Sequence, residues 1–385
     1  MYKVIIFGTG KCSEQLNNLL DKEKVNIICY ADNDLKKQGS SYFNKKVINP
    51  LQILKLNFDF IIIASQFGNE ILVQLKNIGV NENKIFNYFE YIKGFAIIDV
   101  CKCDYIKQKT IYDKVMASID YKMIITGLSY AEEGVIEQKL KFKTANLALA
   151  SQDLYFDYYI AKLIIENSKN KIKYCLIGLS YYSFEYDLAL SVFKFKCPLI
   201  YNKLLGIDHG YDKNEDEVMK KLTEEENYFA EKLFLKDYIQ KYLKLVNYEG
   251  FYHNYRKNIF GKLKLEEKVM RGQNKAKIDS NKNYPKTICE NKRLIYEYMS
   301  LLKNYNIKPI LIIFPVTKYY YNCFDNRLKE QFYDILKDLN YKFEFQILDY
   351  FNSNFFDDID FRDESHLNIY GAKKMTKVLN EEIYF

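Results

Sequence analysis

The chain has no tryptophan and only three histidines, His209, His253 and His366, in 385 residues. So few imidazoles leave few candidates for a general base, which narrows the search for chemistry. No apolar run approaches the ~20 residues needed to cross a bilayer, so no membrane span is expected. No signal peptide is expected either: the chain opens Met1-Tyr2-Lys3 and passes directly into a short strand pattern and a glycine turn. The eight cysteines show no zinc-type spacing. Cys101 and Cys103 stand too close together and too isolated, while Cys29 and Cys175 fall in strand-like runs where a buried free thiol is ordinary. A reducing, cytoplasmic setting with no metal site follows as the expectation. The net charge of +7 is modest for this length, and the basic residues are interspersed with acids. That excludes a dedicated nucleic-acid binder and leaves acidic small molecules open.

What is present points to two domains. The length is long for one, and 48% hydrophobic and 16% aromatic residues can fill sizeable cores. Strands and helices alternate through most of the chain, which predicts an α/β fold with parallel sheets. Residues 1–105 are expected to form the first domain and 106–385 the second. The junction, 96–120, reads as two strand-like pieces without a Gly/Ser linker. The second domain reads as strand 122–127, helix 131–140, strand 144–149, helix 153–167 and strand 172–179. An irregular, charged insertion follows at about 205–285, partly helical at Glu215 to Lys244 and without periodicity from Lys262 to Lys286. Alternation then returns through a last helix at 369–382.

The first domain begins with a βαβ unit. Lys3 to Phe7 is a strand, Gly8-Thr9-Gly10-Lys11-Cys12-Ser13 a turn, and Val25 to Tyr30 a second strand ending at Asp32. Glycines let backbone approach a phosphate at a helix N-terminus, and an acid about 20 residues on can hold ribose hydroxyls. Ser13 stands where the pattern has its third glycine. Gly8, Gly10, Lys11, Ser13 and Asp32 are therefore candidate cofactor residues, with a plain strand-to-helix turn as the alternative. Residues 1 to about 95 resemble the small Rossmann-like domains attached to bacterial glycan-biosynthesis enzymes. That resemblance implies a bound nucleotide, nucleotide-sugar or dinucleotide, or a scaffold role alone.

Two further stretches carry the candidate chemistry. Asp363-Glu364-Ser365-His366 precedes Leu367-Asn368 and Gly371-Ala372, so one turn can present an acid and a histidine to a single point. Far upstream, the strand Met123 to Thr126 ends in Gly127-Leu128-Ser129. A serine at a strand-to-helix turn is exposed, and a histidine oriented by a carboxylate can take its proton. Each has a structural alternative: Ser129 as an N-cap, His366 as a surface residue, Asp363 as a cap of the last helix.

In order and spacing these two stretches resemble the SGNH (GDSL-like) hydrolase and O-acyltransferase superfamily over roughly 106–385. The resemblance implies a flavodoxin-like α/β fold. It also implies Ser129 as nucleophile, His366 as base and Asp363 as orienting acid. Oxyanion donors are then expected near Ala150 or Ser151 and at Ser180. Departures from the family pattern are Leu128 in place of the usual Asp and Ser180 in place of the usual Asn. They bring the chain nearer the divergent surface-polymer branch. The implied activity is O-acyl transfer or ester hydrolysis on a carbohydrate or glycan precursor in bacterial surface-polysaccharide assembly. No cofactor is required for acyl transfer, and the partners are a small-molecule acyl donor and a carbohydrate acceptor. Tyr181, Lys318 and Tyr319 follow strands at the same presumed edge and are the expected substrate wall. The alternative is a catalytically silent protein that binds a nucleotide or nucleotide-sugar.

Overall fold

A computed structural model of the chain describes residues 1–210, 256–282 and 284–383, with backbone alone at 93–99 and 285. It is a mixed α/β protein with two sheets. Among the described residues, 1–100 make one compact unit, and 101–210 with 256–383 make the other.

The first unit is built on β1 (Tyr2–Phe7), whose Val4, Ile5, Ile6 and Phe7 are all buried. Val4 and Ile6 join one apolar cluster, Ile5 and Phe7 another, so the sheet is covered on both faces. Helix α1 (Lys11–Leu19) follows β1. The strands β2 (Val25–Ala31), β3 (Ser41–Tyr42), β4 (Lys45–Ile48), β5 (Phe60–Ile63) and β6 (Ile85–Asn87) complete a six-stranded sheet ordered β3-β4-β2-β1-β5-β6. Only the β3–β4 pair is antiparallel. Helix α2 (Gly68–Asn77) joins β5 to β6, and α3 (Tyr88–Met116) continues from β6.

The second unit holds a five-stranded, wholly parallel sheet. Its strands are β7 (Met123–Gly127), β8 (Thr144–Asn146), β9 (Tyr174–Leu179), β10 (Lys308–Ile313) and β11 (Gln346–Asp349), ordered β8-β7-β9-β10-β11. The connecting helices are α4 (Ser129–Gly134), α5 (Leu154–Asn167), α6 (Leu265–Ser280), α7 (Pro285–Asn304), α8 (Asn326–Asn340) and α9 (Ile369–Glu382). Because β8 lies on one side of β7 and β9 on the other, the chain order reverses at β7. A crevice opens there beyond the C-terminal strand ends.

Two glycines bring the backbone together at that point. Gly127 ends β7 at φ +132°, and a Cβ there would sit 2.3 Å from the Gly178 carbonyl oxygen. Gly178, in β9, leaves room for the Ala131 methyl in turn. The turn into α4 therefore runs tight against β9.

Several sequence expectations are corrected. The 96–120 junction is not two strands: α3 continues to Met116, with Cys101, Gln108 and Val115 buried at seven-residue spacing. A short apolar run does not discriminate helix from strand, and helical burial wins here. The helix expected over 131–140 stops at Gly134, where any side chain would strike the Phe314 ring. The strand expected over 144–149 is regular only over Thr144–Asn146, though the Leu147 and Leu149 N–H groups still donate to the Ile125 and Gly127 carbonyls at 2.8 and 3.1 Å. Lys262 to Lys286 is not irregular. It contains α6, rich in strong helix formers, which buries Gly272, Ala276 and Asp279. Gly272 lies against the Tyr319 backbone, with no room for a Cβ. The rest of the expected 205–285 insertion, including Glu215 to Lys244 and His253, falls mostly at 211–255, outside the described residues.

Replacing Gly127 by alanine combines a forced left-handed backbone with a clash against β9. The expected cost is roughly 2–4 kcal/mol of stability, read by denaturant unfolding.

Candidate active site

Ser129 is the first residue of α4, immediately past the end of β7. Its position is not that of a cap. The N-cap is Leu128, and no side chain caps this helix. Ser129 Oγ lies 2.8 Å from His366 Nε2. On the other side of the ring, His366 Nδ1 is 2.9 Å from Asp363 Oδ1 and 3.2 Å from Oδ2. The three residues, separated by 237 and 3 positions in sequence, thus form one hydrogen-bonded line.

The turn that carries the acid and base is over-determined. Phe361 and Leu367 bridge antiparallel, the Arg362 N–H donates to the His366 carbonyl at 2.9 Å, and Thr317 donates through its N–H and its hydroxyl to the Glu364 carbonyl. Asn368, not Asp363, caps α9: its side chain accepts from the Tyr370 and Gly371 N–H groups. Asn368 also donates to the Ile359 carbonyl at 2.7 Å. Asp363 is therefore free of capping duty. Its Oδ1 accepts from the Ser365 and His366 N–H groups at 3.0 and 2.9 Å, and its Oδ2 accepts from Arg362 Nε at 2.9 Å. Arg362 also bonds Glu133 of α4, so a buried ion chain runs behind the histidine.

Burial works against a charge on Asp363. The His366 ring, the Arg362 guanidinium and the Ser365 N–H outweigh it and hold the carboxyl far below the usual range. An ionised Asp363 fixes the proton on Nδ1 and leaves Nε2 as the acceptor facing Ser129. His366 is not a surface residue. Its side chain is 14% exposed and stacks on Tyr130 at 4.8 Å.

A cavity of about 280 Å³ opens at Ser129 and His366. Of the expected oxyanion residues, only Ser151 lines it, at φ +66°. The Ala150 N–H is already committed, donating to Glu132 Oε2 at 2.7 Å. Ser180 is buried away from the cavity, its N–H held by Ser183 Oγ. Neither the Ser129 nor the Ser151 N–H donates to a protein acceptor among the described residues.

The expected substrate wall is corrected in full. Tyr181 points into the core and donates to Asp349 at 2.6 Å. Tyr319 donates to Asp358 at 3.0 Å, Lys318 lies exposed beside it, and neither lines the cavity. The short helix Lys318–Tyr321 packs on α6, which carries both residues away from Ser129. The wall is made instead by Tyr130, Tyr182, Tyr186, Lys275, Asp279 and Lys282. Sequence reasoning missed Lys275 and Asp279 because α6, which carries them, has little apolar periodicity; the other four lie outside that helix, where spacing does not set which side chain faces the cavity. The available signals were Lys275 and Asp279 at helical i, i+4 spacing, and Arg362 adjoining the acid.

His209 stands apart from Ser129. Its Nδ1 lies 3.8 Å from Asp187 and 4.0 Å from Asp153, while Nε2 lies 3.1 Å from Glu290. Among the described residues, Asp153, Asp187 and His209 are the group whose donor atoms converge enough to hold a cation. Asp153 also caps α5 through the Phe156 N–H, and burial pushes its carboxyl up to about 6 against the opposing His209.

In the first unit, a cavity of about 920 Å³ is lined by Gly8, Gly10, Lys11 and Asp32, with Thr9 and Lys37. Nothing lies within 4 Å of a Cβ built on Gly10, so backbone can be approached there. Asp32 is partly engaged, accepting from Thr9 Oγ1 at 2.5 Å and from the Asp34 N–H at 2.9 Å. Ser13 is fully buried and does not line this cavity. Its smallness serves the packing of α1 on the sheet.

Removing Arg362 as Arg362→Met leaves Asp363 and Glu133 buried without their shared cation. The expected loss is about 3–5 kcal/mol at pH 7 by denaturant unfolding. Because Asp363 is depressed in the fold, its contribution is present above the unfolded value of 3.8 and is lost as pH falls below it. The gap between wild type and variant should narrow over that acid range.

Residues 1–86 match a family model described as C2185-like, N-terminal. No curated protein matches the chain.

Proposed function

We propose that the chain is an SGNH-type serine O-acyltransferase or esterase acting on a carbohydrate or glycan precursor in bacterial surface-polysaccharide assembly. The observation that carries this reading is the Ser129–His366–Asp363 line, with contacts of 2.8 and 2.9 Å. The strand order of the second unit, which counted from β7 is 2-1-3-4-5, is the flavodoxin-like order and supports the fold half of the reading. The order of the first unit, 3-2-1-4-5 from β4 to β6, likewise supports a Rossmann-like half. The carbohydrate and polysaccharide terms rest on the family resemblance.

In this mechanism Ser129 Oγ bonds to the acyl carbonyl carbon and gives its proton to His366 Nε2. The Asp363 carboxylate stabilises the resulting imidazolium. The carbonyl oxygen becomes an oxyanion, held by the free Ser129 and Ser151 amides. As the carbonyl reforms, the leaving oxygen departs with the proton from Nε2. Water then yields an esterase, and a sugar hydroxyl yields a transferase. Acyl transfer of this kind needs no cofactor. The chain's cytoplasmic setting belongs to the same proposal; no helix among the described residues is long and apolar enough to cross a membrane.

A second reading, a silent site on a protein that binds a nucleotide or nucleotide-sugar, is favoured by Glu132. Its carboxylate occupies the Ala150 N–H where a donor is wanted. Losing one such donor costs on the order of 100- to 1000-fold in rate. For the nucleotide itself, Gly10, Lys11, Lys37 and Asp32 are the residues placed to meet phosphate and ribose.

Turnover of p-nitrophenyl acetate and labelling by a serine-directed fluorophosphonate are expected of wild type and absent from Ser129→Ala. Asp363→Asn should label slowly and lose on the order of 10³- to 10⁴-fold in kcat. Equal inertness of wild type and Ser129→Ala would sink the serine reading and leave the binding reading. Glu132→Ala should raise turnover, since it frees the Ala150 N–H as a further donor.

A further inference from the structure

Asp279 is fully buried near the end of α6 and, among the described residues, is the one carboxylate lining the Ser129 cavity. Two ammonium groups face it. Its Oδ1 accepts from Lys282 Nζ at 2.6 Å and from Lys275 Nζ at 3.2 Å, and its Oδ2 accepts from the Tyr320 hydroxyl at 2.8 Å. Lys282 Nζ also sits 3.8 Å from the centre of the Tyr182 ring. The other acids close to this wall are spoken for: Asp363 by Arg362 and His366, Glu364 by Arg271.

Among the described residues, the cavity wall therefore carries two cations against one anion. Each ammonium has three N–H donors, and Asp279 is the only protein acceptor either one has among the described residues. A half-buried cation in excess, with unspent donors facing a cavity, is a ready site for an anion. The lysine side chains are 31% and 22% exposed, and both line the cavity that holds Ser129 and His366. Burial lowers the Lys282 pKa, Lys275 adds to that, and Asp279 opposes both. At Lys275, burial is outweighed by Asp279, which keeps the ammonium charged.

We propose that the Ser129 site selects an anionic substrate, whose carboxylate or phosphate binds between Lys275 and Lys282. This rests on the serine reading of the same cavity. Tyr182 and Tyr186 flank the anion, and the lysines set specificity without touching the reacting carbonyl. Charge-assisted N–H···O bonds from two ammonium groups supply the recognition.

The test compares p-nitrophenyl acetate with p-nitrophenyl hemisuccinate on the full chain, together with Lys275→Met and Lys282→Met, which keep most of the aliphatic stem. Wild type should prefer the anionic ester by about tenfold or more in kcat/KM, and each variant should collapse that ratio, mainly through KM. Inorganic phosphate and succinate, titrated as competitors, distinguish the two anion chemistries. Lys275 is the more exposed of the pair and serves as the second variant should Lys282→Met fail to fold. A Ser129-dependent turnover with no anionic preference and no competition would overturn the proposal and leave the serine reading intact. If neither ester turns over, the serine reading falls, and anion binding is then decided by thermal unfolding. A saturable rise in Tm with phosphate or succinate, lost in the variants, sustains the anion site. No rise overturns it.

Discussion

The Asp363 carboxylate is the constraint on which the second unit's site depends. It accepts two backbone N–H groups of its own turn, receives the Arg362 guanidinium, and meets the His366 ring. A buried carboxylate in such company stays ionised, and an ionised carboxylate fixes which imidazole nitrogen bears the proton. Arg362 carries the same charge balance on to Glu133 of α4. The helix that starts with Ser129 is thereby tied electrostatically to the turn that ends with His366. Ser129 and His366 are held at hydrogen-bond distance through buried charges as well as through packing.

The sheet supplies the other half of the precision. Gly127 and Gly178 let β7 and β9 approach without side chains at the turn into α4. Gly134 ends that helix against Phe314 after six residues. Small residues at the strand ends thus do for Ser129 what the ion chain does for His366. The Ala150 side is built differently. Glu132, next to the ion chain in sequence, turns its carboxylate onto the Ala150 amide. The same short helix therefore both positions Ser129 and engages the Ala150 amide.

The grouping of Ser129, His366 and Asp363 was legible because each sits at a strand end or in a short turn, where residue spacing translates directly into geometry. Asp363 and His366 are three apart, and their shared turn brings them together whatever surrounds it. The αβ alternation was legible for a related reason: buried parallel strands read as continuous apolar runs such as Met123 to Thr126. The two-strand reading of 96–120 failed because length and helical burial decide an apolar run, and both depend on what packs against it.

The sequence by itself determined the α/β alternation, the strand-end serine and the Asp-x-x-His turn, because these follow from local periodicity and spacing. Only the tertiary structure decided the cavity wall. Tyr181 and Tyr182 are neighbours in sequence, yet one is buried and reaches Asp349 at the end of β11 while the other lines the cavity. Lys275 arrives on a helix, and Lys282 just past its end, and the polar composition there carries no directional signal until Gly272 packs the helix against Tyr319. Which side chain faces a site depends on contacts between residues distant in the chain, and those contacts exist only once the fold has closed.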